Sequence, residues 1–145
     1  MPITISVAEP ADAGALHEAL QGLVPQLTRS SPPPTLAAVQ AMLDHDAITQ
    51  FVARDDAGRI VGVATLATFP LPSSTRAWVE DVIVDEASTN QGIGRLLVDA
   101  MVARARQLGA KTVDLTSRPS REAANHLYSK AGFEVRDTNV YRYTL

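Results

Sequence analysis

The sequence predicts an α/β protein of the α+β kind, with one mixed, mostly antiparallel central sheet of roughly six to seven strands flanked by about four helices. Three observations lead there. Strand-like and helix-like segments follow the order β-α-α-β-β-β-α-β-α-β-β, a pattern that places helices on the faces of one sheet. The apolar run Val82-Ile83-Val84 passes through a polar turn into an amphipathic helix at Gly92-Ile93-Gly94. A chain of 145 residues, 46% hydrophobic and 20% charged, has the composition of a soluble globule. That length makes one domain, residues 1–145, able to bury about 70% of its unfolded surface.

Ile3 to Val7 alternates apolar and polar residues, as a half-buried strand does. Glu9-Pro10-Ala11-Asp12 turns the chain into a helix reaching about Leu27, with Leu16, Leu20, Leu23, Val24 and Leu27 at helical spacing. Pro25 is expected to disturb its last turn. Ser30-Ser31-Pro32-Pro33-Pro34 forms a stiff polyproline loop, and a second helix, Thr35 to Asp46, follows with Thr35 as its cap. Ala47 to Arg54 and Ile60 to Phe69 read as strands joined by the hairpin turn Asp55-Asp56-Ala57-Gly58, and Gly62 marks a point of close backbone approach.

After a break at Pro70 to Ser74, Arg76 to Val84 resumes as strand. The helix entered at Gly92 carries Ile93, Leu96, Leu97, Ala100, Met101, Ala105 and Leu108 on one face and stops at Gly109. Lys111 to Thr116 is the next strand. Pro119 opens a helix containing Ala123, Ala124, Leu127, Tyr128 and Ala131, which ends at Gly132. Phe133 to Thr138 and Tyr141 to Leu145 then form a closing strand pair, with Asp137-Thr138-Asn139 in its turn.

Several function classes drop out on composition. No apolar run approaches the roughly 20 residues of a membrane span, and no export signal follows Met1. The expectation is therefore a cytoplasmic protein without a membrane partner. Cysteine is absent, which excludes disulfides, thiolate metal sites and a cysteine nucleophile. No His/Asp/Glu spacing resembles a metal site. The net charge of −3 hides an asymmetry: residues 1–87 hold four Arg against eleven Asp/Glu, and residues 88–145 hold nine Lys/Arg against five Asp/Glu. A basic half suits a polyanionic cofactor and an acidic half a cationic amine, whereas nucleic acid is a poor partner for so acidic a chain. Unevenly spread solvated charges explain the same counts.

The stretch Val82 to Leu97 carries the clearest chemical signal. A helix start leaves its first N–H groups unpaired at the positive end of the macrodipole, and glycines let a ligand approach that backbone. Asn90-Gln91-Gly92-Ile93-Gly94-Arg95 thus forms a phosphate cradle, or, in the plainer reading, only a tight strand-to-helix turn. Two familiar phosphate motifs fail. The dinucleotide fingerprint needs a glycine at position 97, which is Leu, and the P-loop needs Gly-Lys-Ser/Thr where Gly94-Arg95-Leu96 stands.

Thr89-Asn90-Gln91-Gly92-Ile93-Gly94 resembles the cofactor motif of the GNAT acetyltransferase superfamily, Gln/Arg-x-x-Gly-x-Gly/Ala, with Thr89 standing where Gln or Arg is usual. A second stretch, Asn125-His126-Leu127-Tyr128-Ser129-Lys130-Ala131-Gly132-Phe133, resembles the same superfamily's helix-and-strand signature and follows at the spacing the family shows. The resemblance covers essentially the whole chain and implies the GNAT fold with acetyl-CoA as co-substrate. It implies that Val82, Ile83 and Val84 take the pantetheine arm as a neighbouring strand would. A local bulge there would aim a backbone N–H at the thioester carbonyl. Thr89, Asn90, Gln91, Gly92, Ile93, Gly94 and Arg95 would hold the pyrophosphate, Asn125 would contact the pantetheine, and Tyr128 would protonate the leaving thiolate. A phenol with an ordinary pKa of about 10 carries that proton at neutral pH.

An amine acceptor must lose a proton before it attacks, and Glu80, just before the thioester-binding stretch, is the first candidate base. Asp81 points to the other face of an ideal strand and comes second. A substrate-binding or structural role explains either carboxylate equally well, and Tyr128 is also explained as a core tyrosine. His126 points to a different helix face from Asn125 and reads as a surface or satisfied histidine, His17 and His45 have no partner residues, Trp78, Tyr141 and Tyr143 fit sheet packing, and Arg118 and Arg121 flank the last helix as solvated charges or anion contacts.

The resemblance implies an N-acetyltransferase moving acetyl directly to a primary amine, and the acidic first half tilts the acceptor toward a cationic small molecule. The alternatives are a non-catalytic acyl-CoA-binding or regulatory GNAT domain, to which Thr89 points, and a peptide N-terminal acetyltransferase. A homodimer is compatible with the family, and the sequence singles out no interface.

Overall fold

Alternation along the strands decides which side chains meet which helix. In the computed structural model, which describes residues 2–145, the chain runs through β1 (Thr4–Val7), α1 (Ala13–Leu27), α2 (Leu36–Leu43), β2 (Ile48–Arg54), β3 (Ile60–Pro70), β4 (Thr75–Val84), α3 (Ile93–Gln107), β5 (Val113–Asp114) and α4 (Glu122–Lys130). Short 3-10 turns at Pro10–Asp12 and Glu86–Ser88 lead into α1 and toward α3. The strands form one sheet in the order β1-β2-β3-β4-β5. Its pairings are antiparallel except for the parallel contact of β4 with β5.

Val52, Val63 and Ile83 face one side of the sheet and pack on Leu16, Leu20 and Leu23 of α1 and Val39 of α2. Phe51, Ala53, Ala64, Leu66, Ala77 and Val79 belong to a cluster on the other side, with Ile93, Leu97, Val98, Met101 and Ala105 of α3. Each face thus buries the apolar stripe of a helix that the sequence spacing predicts. Gly62 is where α3 comes closest to the sheet: a Cβ there would lie 3.0 Å from Ile93 Cγ2 and 3.3 Å from Leu97 Cδ1. The β2–β3 hairpin is pinned by Asp55. Its Oδ1 accepts the N–H groups of Ala57 at 3.0 Å and Arg59 at 2.9 Å, and its Oδ2 accepts Arg59 Nε at 2.9 Å. The Arg59 backbone N–H is the main reason the Asp55 carboxyl titrates below its usual range, with the Arg59 guanidinium adding to it against the opposing effect of burial.

Three expectations are corrected. The sheet has five strands rather than six or seven, because Phe133 to Thr138 and Tyr141 to Leu145 join no ladder. Their alternation supplies a face to bury but not a neighbour, and a strand needs both. For the same reason the strand expected over Lys111 to Thr116 shrinks to Val113–Asp114, which pairs on one side only. The helix expected from Pro119 begins at Glu122 instead. Pro119 sits in a turn closed by Arg121 N–H to Arg118 O at 3.0 Å, a position its fixed φ favours. Pro25 lies inside α1, whose end is closed by Thr28 N–H to Val24 O at 3.0 Å.

Candidate active site

The site is built on an irregularity in β4. Thr65 of β3 lies opposite Glu80 and Val63 lies opposite Ile83, so Asp81 and Val82 together face the single residue Ala64. This is a β-bulge, and its extra residue bends the strand and unpairs backbone locally. Asp81 takes φ +47°, a backbone conformation that aspartate tolerates better than most residues. The bulge also shifts the side-chain phase: Val79 and Val82 both pack toward the α3 side, three residues apart rather than two. The apolar residue turns inward and Asp81 is left exposed beside Glu80. An ideal strand would have put these two carboxylates on opposite faces, whereas the bulge brings both to one cavity.

That cavity, about 120 Å³, is lined by Glu80, Asp81 and Val82 of β4, Leu115 beyond β5, and Arg121 and Tyr128 from the start and middle of α4. Leu115 and its neighbour Thr116 complete one wall, and nothing in the sequence marked them beyond a strand pattern. Burial pushes the Tyr128 hydroxyl above its ordinary pKa, partly opposed by the positive charge of Arg121. Phe133 meets the Tyr128 ring edge-on with centroids 5.8 Å apart, and Phe133 N–H donates to Tyr128 O at 2.9 Å, so the ring is held from its C-terminal side. Glu80 is exposed, and Trp78 Nε1 donates to its Oε1 at 2.6 Å. A wider groove of about 490 Å³ runs along Pro25, Arg29 and Pro32 where α1 leads into the proline loop. It holds no carboxylate or phenol, so the smaller cavity is where the titratable groups converge.

β4 pairs with β5 only through Ala77↔Val113 and Trp78↔Asp114. Beyond Trp78 the two strands separate, leaving the β4 edge at Val82, Ile83 and Val84 as backbone to which an extended molecule can add as a strand does. Ile83 is buried among α1 and α2 residues, while Val82 and Val84 pack on the α3 side.

The cradle lies at the next turn. Asn90 (φ +65°) and Gly92 (φ +72°) both take left-handed backbone, which swings the chain into α3 with Gly92 as its N-cap. A Cβ at Gly92 would meet nothing within 4 Å, so the space over the cap is open. Gly94 differs: a Cβ there would lie 3.1 Å from Leu127 Cδ2, and its role is to let α4 pack against α3. The N–H groups of Ile93, Gly94 and Arg95 in the first turn have no intrahelical acceptor. Side chains add little to this backbone, because Thr89 Oγ1 donates to Glu86 O at 3.2 Å and Arg95 Nε pairs with Asp99 at 3.0 Å. Gln91 is exposed. Asn125 uses its amide on Arg118 O and Arg121 O, both at 2.9 Å, fixing the side chain at the head of α4 with Oδ1 left to accept. A pyrophosphate fits an open helix start of this kind.

His17 and His126 lie outside these groupings, and His45 Nδ1 accepts Ala47 N–H at 3.1 Å. Tyr141 and Tyr143 are exposed rather than packed in the sheet.

The acetyltransferase (GNAT) family profile matches residues 16–133. The chain belongs to the GNAT acetyltransferase family. Mycothiol acetyltransferase from Propionibacterium freudenreichii is 36% identical to this GNAT chain over 89 residues, 61% of this chain and 28% of the relative. The match therefore spans little more than a quarter of that relative's length. Among solved structures, a putative acetyltransferase from Agrobacterium tumefaciens is 27% identical with TM-score 0.82, covering 97% of this chain and 99% of that one. An acetyltransferase from Trypanosoma brucei is 27% identical with TM-score 0.78, covering 99% and 100%. The GNAT fold is thus present, with a five-stranded mixed sheet and four helices among the described residues. No helix among the described residues is long and apolar enough to cross a membrane.

Proposed function

We propose that this GNAT chain, acting as one domain in the cytoplasm, transfers the acetyl group of acetyl-CoA directly to a primary amine on a small molecule. The convergence of Glu80 and Tyr128 on one cavity at the β4 bulge carries this reading. Acetyl-CoA supplies the activated acyl group. The β4 edge at Val82 to Val84 receives its pantetheine arm, Asn125 Oδ1 accepts from an amide of that arm, and the backbone of Asn90 to Arg95 receives its pyrophosphate.

Glu80, directly or through water, takes a proton from the ammonium form of the acceptor. The freed nitrogen attacks the thioester carbonyl carbon, and a backbone N–H unpaired at the bulge stabilises the oxygen's developing charge. The new C–N bond forms as the C–S bond breaks. The sulfur leaves with the phenolic proton of Tyr128, which is regained from solvent, and the nitrogen sheds its second proton to water. Burial keeps the Tyr128 proton in place until sulfur needs it.

The similarity to mycothiol acetyltransferase supports a small-molecule acceptor, and the acidic first half of the chain supports a cationic one. One observation favours a second reading, an acyl-CoA-binding domain without turnover: Thr89 and Arg95 are engaged within the chain, leaving the cradle without these two side chains. The deciding experiment has two stages. Excess acetyl-CoA should raise the melting midpoint by several degrees, since a ligand at about 100 times its Kd adds roughly 2.7 kcal/mol. Release of free thiol with a panel of amino sugars, polyamines and free-N-terminal peptides then separates enzyme from binding domain. No midpoint rise abandons both readings, and a rise without turnover on any amine favours the second.

A further inference from the structure

We propose, resting on the direct-transfer reading above, that Thr65 binds the acceptor: its Oγ1 accepts an N–H of the incoming primary amine beside Glu80, and the buried Gln50 positions it by holding its hydroxyl proton. One residue from each of β2, β3 and β4 takes part. Gln50 lies opposite Thr65 in the ladder, and Thr65 lies opposite Glu80. Directly opposed residues project to the same face with Cβ atoms about 5 Å apart. That face is the one covered by α1 and α2, since Val52 and Val63, each two residues along its strand from Gln50 and Thr65, pack there.

The row runs from closed to open. Gln50 is 4% exposed, Thr65 is half-buried and Glu80 is exposed. Gln50 Nε2 donates to two backbone carbonyls, Ala64 O at 3.1 Å and Phe51 O at 3.3 Å. Carbonyls only accept, so the amide cannot be turned over and its Oε1 must face Thr65. Oε1 accepts the Thr65 hydroxyl proton at 2.7 Å. With that proton committed, Thr65 Oγ1 has only lone pairs left to offer. It is a fixed acceptor, one strand away from a carboxylate whose own Oε1 is taken by Trp78 Nε1 at 2.6 Å.

Two acceptors side by side suit a nitrogen that carries several N–H groups. A primary ammonium gives one proton to Glu80, directly or through water, and keeps two N–H bonds. One of these donates to Thr65 Oγ1, which restricts rotation about the C–N bond and gives the freed lone pair one direction for attack. A carboxylate or ether oxygen in the same place finds no donor at Thr65. Stability alone does not call for the Gln50–Thr65 pair, because apolar side chains of the same shape can replace a buried hydrogen-bonded pair at little cost. Val52 and Val63 show that this face accepts them. What the polar pair adds is a fixed direction for one hydroxyl.

The test is steady-state thiol release with whichever of glucosamine, spermidine and trialanine the unaltered chain acetylates fastest. It is run on Thr65→Val, Thr65→Ser, Gln50→Met and the double variant Thr65→Val, Gln50→Met. Loss of a hydrogen bond from a charged group should raise the amine KM about tenfold in Thr65→Val, with the acetyl-CoA KM unchanged. Thr65→Ser restores the hydroxyl and should recover most of that loss. Gln50→Met keeps the bulk, frees the hydroxyl to rotate and should raise the amine KM severalfold. Added to Thr65→Val it should raise it no further, because Gln50 acts through Thr65. An unchanged amine KM in Thr65→Val overturns the proposal, and so does a double variant in which the two losses multiply. If Thr65→Val does not fold, Gln50→Met decides, and an unchanged amine KM there overturns the proposal. Turnover of none of the three amines by the unaltered chain overturns it together with the direct-transfer reading, whereas turnover with unchanged KM values overturns it alone.

Discussion

Gln26 on α1 accepts the Glu86 backbone N–H through Oε1 at 2.9 Å and donates through Nε2 to Asp85 Oδ1 at 3.3 Å, so one side chain ties the helix on one face of the sheet to the turn that leads into α3 on the other. Asp85 Oδ1 also accepts Ala87 N–H at 3.2 Å, which makes the turn and its tether a single network. The position of the cradle is therefore set partly from the opposite face of the sheet.

Gln26→Leu removes this tether while keeping the side chain's bulk. A hydrogen bond of this kind contributes about 1 kcal/mol, so the Kd for acetyl-CoA should rise roughly fivefold by calorimetry. A Kd within twofold of the unaltered chain would show that the turn holds its place without α1.

Trp78→Phe keeps a ring on β4 but deletes the N–H that holds Glu80 Oε1 at 2.6 Å. With one orienting hydrogen bond lost at an exposed carboxylate, about 1 kcal/mol, kcat/KM for a working amine should fall roughly fivefold with acetyl-CoA affinity unchanged. Glu80→Gln preserves an oxygen for Trp78 and removes only the base, and should cost about 100-fold or more. Equal rates for Glu80→Gln and the unaltered chain would remove Glu80 from the mechanism.

Tyr128→Phe deletes the proton donor and should lower kcat about 100-fold or more with little change in acetyl-CoA binding. Burial raises the folded-state pKa of Tyr128 above its ordinary value of 10.0. The stability that this buried neutral phenol contributes is thus full below about pH 10 and lost as pH rises through the higher folded value. Melting curves taken from pH 8 to pH 11 should show the unaltered chain losing stability at the alkaline end more steeply than Tyr128→Phe.

Asp55 has the opposite sign. Its folded pKa lies below the ordinary 3.8, first because the Arg59 N–H donates to it. Its contribution is present above about pH 4 and lost as pH falls through the depressed folded value. Urea midpoints between about pH 5 and pH 2 should fall more steeply for the unaltered chain than for Asp55→Asn, which should also be the less stable of the two at pH 7. Parallel profiles would assign the hairpin's stability to its backbone alone.

Much of this molecule is legible in the sequence because its signals are local. The strand pattern from Ala47 to Arg54 and the helical spacing from Ile93 to Ala105 act over a few residues, and the strand and helix they predict are present. Gly62 reads correctly as a point of close approach. Asp81 shows the limit. Strand periodicity put it on the face opposite Glu80, and only the register against Val63 and Thr65 reveals the extra residue that brings both carboxylates to one cavity. Gly94 shows another, since a Cβ there would lie 3.1 Å from Leu127 Cδ2, a packing constraint that its sequence context does not reveal.

By itself the sequence determined the order of elements as far as α4, the strand-turn-helix unit at Gly92 and the two motifs that place the chain among the GNAT acetyltransferases, because periodicity and turn chemistry act between residues a few positions apart. Only the tertiary structure decided that Glu80, Asp81 and Tyr128 share a cavity and that the segment after Phe133 joins no ladder. Those facts depend on strand register and on which edges remain unpaired. Hydrogen-bond partners in a sheet come from far along the chain, or from another chain, and no local pattern names them.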